Sequence, residues 1–290
     1  MSLPDFEYLE PTSVCEACTL LAEDPEGSAV FAGGTDVVVY LKAGPLTHKR
    51  LISLGRIPDL DTLEMTDHGG LVIGAMTTIN RIARGEGPSA AFPGIVDAAR
   101  SVAAEQVRNM ATVAGNLCMA VPSADMAPIL IAWGAEVRIS SQASERVVPL
   151  RDFFVGPRQT VLGPTDVVTA IEVPPRPENA GDASIRQGGR VSLSLPIVSA
   201  AAVIEMQNDT CTRADLALGA VAPTPLMATK ASEFLVGKSF TDDVLLKAGK
   251  IASSEAKPID DLRASRGFRL DLITVLTGRV LKRAAQRAGE

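Results

Sequence analysis

The chain has 290 residues, of which 46% are hydrophobic, 21% charged and 4% aromatic; this length suggests about two domains and a core that needs no disulfide or metal. With 28 Lys and Arg against 34 Asp and Glu, the net charge of −6 argues against binding a nucleic-acid backbone. No apolar run approaches the roughly 18 residues of a membrane helix, and residues 1–7 lack the basic and apolar regions of a secretory signal, so the chain reads as cytoplasmic.

Ser13-Val14-Cys15-Glu16 fits a capping box and opens a helix, with Val14, Ala17, Cys18, Leu21 and Ala22 on one face. Asp24-Pro25 ends it. Residues 29–32 form a short apolar strand that runs into Gly33-Gly34-Thr35-Asp36. Residues 71–73 read as strand, and 78–84 and 95–103 as helices. The stretch 105–115 is polar and glycine-bearing, a loop leading into residues 116–119. A helix at 125–133, an alternating strand at 136–139 and a strand at 169–173 follow. Pro174, Pro175 and Pro177 cannot continue a ladder, and Gly181-Asp182 extends the break into a domain boundary. Beyond it, 195–206 and 212–221 read as strands and 268–287 as the final helix. The fold class is therefore α+β in at least two parts.

Two segments carry a chemical signal. In Ala32-Gly33-Gly34-Thr35-Asp36 the glycines allow close backbone approach to a ligand, and successive N–H groups can form an anion nest. The same residues also suit a plain turn capped by Thr35 or Asp36. They match neither the dinucleotide-binding G-x-G-x-x-G pattern nor a P-loop. The second segment is Arg108-Asn109-Met110-Ala111-Thr112-Val113-Ala114-Gly115-Asn116, followed by Ser123-Ala124-Asp125. It offers N–H donors for phosphate and a carboxylate for sugar hydroxyls, or alternatively a surface loop with Asp125 as a helix cap. Facing each other, the two segments would clamp a pyrophosphate from both sides.

In order and spacing these residues resemble the FAD-binding medium subunit of the molybdenum hydroxylases, the xanthine dehydrogenase and aerobic carbon monoxide dehydrogenase family. Residues 32–36 reproduce its Ala-Gly-Gly-Thr-Asp loop, and residues 106–116 follow its Gln-x-Arg-Asn-x-x-Thr-x-Gly-Gly-Asn segment. Arg151-Asp152-Phe153-Phe154 and Asp261-Leu262-Arg263-Ala264-Ser265 are further similarities. The resemblance implies a two-lobed FAD-binding domain of the vanillyl-alcohol-oxidase or PCMH type over residues 1–175, with lobes at about 1–55 and 56–175. A smaller α+β domain like that of carbon monoxide dehydrogenase flavoproteins would occupy 182–288.

By the same resemblance, FAD would lie between the lobes. Residues 32–36 and 112–116 would contact its pyrophosphate through backbone N–H groups. Asp125 would bind ribityl or ribose hydroxyls, and Val102 and Val167 or Val168 would line the cofactor. Arg186 stands where relatives often have a Lys near the isoalloxazine, a cation suited to the anionic reduced flavin. Ala114 departs from the family's usual Gly, and Arg186 alters the reach and donor geometry of that Lys. Thr35-Asp36, in place of the His-Ser of carbon monoxide dehydrogenases, favours an organic substrate.

The four cysteines (Cys15, Cys18, Cys118 and Cys211) read as reduced thiols. Cys15 and Cys18 sit in an amphipathic helix with no second C-x-x-C, and with His48 and His68 scattered no metal site is expected. The implied role is electron transfer. A partner large subunit would hold the molybdenum cofactor and a small one the [2Fe-2S] clusters, in a heterotrimer or its dimer. A self-sufficient FAD oxidase or dehydrogenase is the alternative, and an assembly module that has lost its flavin is a third reading.

Overall fold

The computed structural model describes residues 3–44, 46–190 and 192–289; Met1 and Ser2, at the start of the N-terminal stretch, lie outside them. The first lobe is a parallel sheet of β1 (Glu7–Leu9), β2 (Ser28–Phe31) and β3 (Arg50–Ser53), with β3 in the centre. Helix Val14–Glu23 packs Ala17, Cys18 and Leu21 against Ile52, Leu54 and Ile57. Ser13 Oγ accepts the Glu16 N–H at 3.1 Å as expected. The returning carboxylate, however, takes the N–H of Thr12 at 2.7 Å, one residue from the capping-box position. Cys15 is exposed and Cys18 buried, so the two thiols do not share an environment.

The second lobe is an antiparallel sheet. Its strands are β4 (Leu63–Met65), β5 (Leu71–Gly74), β6 (Glu136–Ser140), β7 (Glu145–Pro149) and, after a small hairpin of β8 (Phe154–Gly156) and β9 (Gln159–Thr160), β10 (Val167–Val173). They pair in the order β4-β5-β10-β6-β7. Helices Pro93–Ser101 and Ala127–Ala132 are buried in this lobe's core, where Phe92 meets Trp133 edge to face at 5.2 Å.

Residues 105–115 do not form one loop. They hold a helical turn, Glu105–Arg108, and the start of helix Val113–Cys118. Thr112 caps that helix, accepting the Gly115 N–H at 3.0 Å. Its sequence signature is faint because no Glu or Gln stands at the third helical position. The helix read at 125–133 begins only at Ala127, so Met126 and not Asp125 is its N-cap residue.

The third sheet is an antiparallel meander of β11 (Ala180–Gly188), β12 (Pro196–Gln207), β13 (Thr210–Gly219) and β14 (Leu226–Met227). Along β12, Ala201 and Val203 face the second lobe, whereas Ala200, Ala202 and Ile204 face a core shared with helices Asp242–Glu255 and Arg266–Ala288. Burial on both faces explains its continuous apolar run. The Asp261 motif proves to be a turn: Asp261 accepts N–H groups of Arg263 and Ala264 at 2.8 and 3.1 Å, and Ser265 caps the last helix.

Gly181-Asp182 corrects the sequence reading, since both lie inside β11 and not in a break. A Cβ at Gly181 would overlap the Ala284 carbonyl of the last helix, so the glycine permits close packing. Asp182 is fully buried and accepts the Trp133 indole N–H at 2.9 Å. Burial raises its carboxyl above the ordinary range, against the hydrogen bonds of Trp133 and Gly94. Asp97 on helix Pro93–Ser101 accepts from Arg283 and Arg287 at 3.0 and 2.7 Å. These bonds fasten the third sheet and its helices to the second lobe. Trp133→Phe should therefore cost about 2 kcal/mol, the scale of removing a donor from a buried acceptor. Urea unfolding followed by circular dichroism tests this, because Trp133 is the chain's single tryptophan. An unchanged midpoint would refute it.

Candidate functional site

A cleft of about 560 Å³ opens between the two lobes, a size typical of small-molecule and cofactor sites. Its first wall is the turn after β2, where Ala32, Gly33, Gly34, Thr35 and Asp36 all line the space. The carbonyls of Gly34 and Asp36 accept from Val38 and Tyr40 at 3.0 and 2.9 Å, which starts helix Val37–Ala43. The N–H groups of Gly33, Gly34, Thr35 and Asp36 donate to no protein acceptor among the described residues. Gly34 has φ +71°, a left-handed backbone that glycine adopts without cost. Four successive amide donors are thus left for a ligand.

The second wall meets the first directly. A Cβ at Gly33 would overlap the carbonyl oxygen of Met110, so the two glycine-bearing segments of the sequence touch through their backbones. Thr112, Ala114, Gly115 and Asn116 line the cleft. Part of their donor capacity is already used. Gly115 N–H goes to Thr112 Oγ1 and Asn116 N–H to Thr112 O, both at 3.0 Å. Among the described residues, the N–H groups of Thr112 and Ala114 have no protein partner. Val113 is a correction: its N–H donates to Thr77 O at 3.3 Å, and its side chain is fully buried in the second-lobe core.

Val102 and Val168 line the cleft with nearly buried side chains, and Asp125 lines it as well. Asn116 Oδ1 accepts the Met126 N–H at 3.2 Å and so steadies the turn that carries Asp125. Arg186 is not in the wall. From β11 it directs Nη1 onto both carboxylate oxygens of Asp125, at 3.2 and 3.1 Å, and Nη2 onto the Ser194 carbonyl. The cation expected beside a flavin ring is therefore paired with the carboxylate expected on sugar hydroxyls. Burial pushes the Asp125 carboxyl up to about 6, while Arg186 opposes the rise.

The sequence reading missed residues 193–195, Cys118 and Asp166, which also line the cleft. Leu193 belongs to the segment after β11 and reaches the second lobe, donating its N–H to Ala103 O at 3.1 Å. No motif marks that crossing. Asp166 is held by Arg146 at 2.6 Å. Burial pushes the Cys118 thiol up to about 12, so it is a neutral wall residue. Among the described residues no three His, Cys, Asp or Glu side chains gather as metal ligands.

A pH prediction follows from Asp125. Its folded value of about 6 lies above the ordinary 3.8. Between those values the folded chain binds more protons than the unfolded one, so stability rises as pH falls through that window. Asp125→Asn lacks this titration. From pH 7 to about pH 5 the wild type should gain about 1 kcal/mol relative to the variant. Thermal or urea unfolding at the two pH values checks it; a difference that stays constant would contradict the burial argument.

The chain matches two family models, the FAD binding domain in molybdopterin dehydrogenase over residues 4–176 and the CO dehydrogenase flavoprotein C-terminal domain over residues 183–284. It is 31% identical to the carbon monoxide dehydrogenase medium chain of Afipia carboxidovorans, covering 98% of each chain. It is 29% identical to a putative xanthine dehydrogenase FAD-binding subunit of Escherichia coli strain K12, covering 97% of each. Its fold superposes on a chain of quinoline 2-oxidoreductase from Pseudomonas putida 86 with a TM-score of 0.94, at 31% identity over 100% of both chains. With that architecture around an amide-lined cleft, the chain belongs to the family of FAD-binding medium subunits of the molybdenum hydroxylases.

Proposed function

We propose that this chain is the FAD-carrying electron-transfer subunit of a multi-subunit molybdenum hydroxylase. It takes electrons from [2Fe-2S] clusters on a small partner and passes them to an external acceptor. Substrate chemistry belongs to a large molybdenum-cofactor subunit. The observation that carries this reading is the row of unpartnered amides from Gly33 to Asp36, set against the second wall in a cleft of cofactor size. When bound, FAD supplies a centre that exchanges single electrons with clusters and electron pairs with an acceptor.

The residues fit that cofactor. The amides of residues 33–36, joined by those of Thr112 and Ala114, hold the pyrophosphate. Ala32, Gly115 and Asn116 complete the walls there. Val102 and Val168 give apolar contacts, Asp125 accepts from sugar hydroxyls, and Arg186 orients Asp125. Val113 supports the site from the core.

The division into residues 1–175, with lobes at about 1–55 and 56–175, and 182–288 is supported by two larger sheets and the small β8–β9 hairpin before it and one sheet after. Assembly as a heterotrimer or its dimer is supported by relatives named as medium chains and subunits. A cytoplasmic location is proposed alongside; no helix among the described residues is long and apolar enough to cross a membrane.

The test is the visible spectrum of the purified chain, alone and with its partner subunits. Bands near roughly 370 and 450 nm, with FAD released on denaturation, are expected. No flavin in either preparation, even after incubation with excess FAD, would overturn the proposal. Gly33→Ala should lower the flavin-to-protein ratio several-fold with an unchanged circular dichroism spectrum, because its methyl wedges the two walls apart.

A further inference from the structure

The cleft has carboxylates but no cation in its wall. Asp36, Asp125 and Asp166 line it, and no Lys or Arg does among the described residues. An arginine stands behind each carboxylate. Arg186 pairs with Asp125 at 3.1 Å and Arg146 with Asp166 at 2.6 Å. Arg158 is the charge that acts on Asp36, where partial desolvation raises the carboxyl and Arg158 opposes it. The first two guanidinium groups are committed to their carboxylates.

Arg158 differs from both. It is exposed, its guanidinium lies over the Tyr40 ring at 4.8 Å from the centroid, and among the described residues that group makes no hydrogen bond or ion pair. Its backbone, in contrast, is fixed. It has φ +61° in the β8–β9 turn and donates its N–H to Ala120 O at 2.8 Å. The neighbours of Ala120, Met119 and Val121, line the cleft. Tyr40 rides on the helix that starts at the Gly-Gly-Thr-Asp turn. The left-handed backbone would suit glycine better. Arg158 thus reaches from the β8–β9 turn of the second lobe to the helix that follows the first wall, and it leaves five N–H donors unused.

We propose that Arg158 is the cationic contact for a dinucleotide phosphate at this cleft. The source is either the pyrophosphate of FAD itself or that of a soluble dinucleotide acceptor. The inference rests on the FAD reading. Amides are neutral donors, and Asp36, which unlike Asp125 and Asp166 has no ion pair among the described residues, disfavours a phosphate unless a cation answers it. A guanidinium on an aromatic face is oriented for oxyanions and turns onto one without breaking an existing bond.

The experiment uses the full chain. Its FAD affinity is measured after flavin removal, and the FAD-loaded chain is titrated with NAD. In Arg158→Gly, one of these affinities should weaken roughly tenfold, with a flatter salt dependence. Arg158→Lys should recover part of the loss. Because φ +61° suits glycine, the thermal midpoint of Arg158→Gly should hold or rise, which separates binding from folding. Weakened FAD binding assigns the contact to the cofactor; weakened NAD binding alone assigns it to the acceptor. Wild-type affinity of Arg158→Gly for both ligands overturns the proposal. A wild-type chain that takes up no FAD overturns the FAD reading, and this inference with it.

Discussion

The absence of a side chain at Gly33 is the constraint on which the cleft depends. The first lobe meets the second there backbone to backbone, against the Met110 carbonyl. Any β-carbon would hold the walls apart and dissolve the geometry of both. Gly34 contributes through its conformation instead. Its left-handed φ turns the chain over the Phe31 ring, which itself packs edge to face on Tyr8 at 5.7 Å. The apolar strand thus supports the turn from below. The carbonyls of Gly34 and Asp36 enter the following helix while the amides do not. One local conformation therefore makes the wall, the donors and the helix together.

Charge organises the rest of the site. A buried ion pair is weak evidence for stability, because desolvation offsets most of the attraction. The Arg186–Asp125 pair is better understood as a geometric device. It ties a turn of the second lobe to β11 of the third sheet, and through the Ser194 carbonyl to the segment that completes the cleft. Asp182 with Trp133, and Asp97 with Arg283 and Arg287, join the same two parts at other points. Between these polar links lies the apolar face of β12. Apolar burial brings the parts together without direction; the hydrogen-bonded carboxylates supply the register.

The sequence showed the turn at 32–36 because each residue there has a physical meaning: an apolar strand, a glycine pair and a hydroxyl. Residues 112–116 read as part of a loop, either ligand-binding or plain, and not as a helix, since Thr112 caps it without a returning Glu or Gln. That difference changed the chemistry, for the Gly115 and Asn116 donors are taken by the Thr112 cap and the Val113 donor by the Thr77 carbonyl. β11 was hidden because Gly181 and Asp182 look like breakers when read locally. Only the last helix pressing on Gly181, and the indole reaching Asp182, explain them. The pairing of Arg186 with Asp125 joins residues 61 positions apart, beyond any periodicity. The roles of single residues came from the family resemblance and not from composition or spacing.

Position 114 shows why donor pattern matters more than residue identity. The family resemblance sets a glycine there, and this chain has alanine. Ala114 sits in the first turn of helix Val113–Cys118, where no positive φ is required. Alanine is the stronger helix former, by about 1 kcal/mol. Its methyl joins the apolar core beside Val113 and Leu117, and its amide has no protein partner among the described residues. The substitution therefore strengthens the helix without removing a donor from the wall. Gly33 has no such latitude, because its missing β-carbon is itself the contact between the lobes. Two glycine positions in one motif set thus obey different physics, one replaceable and one not.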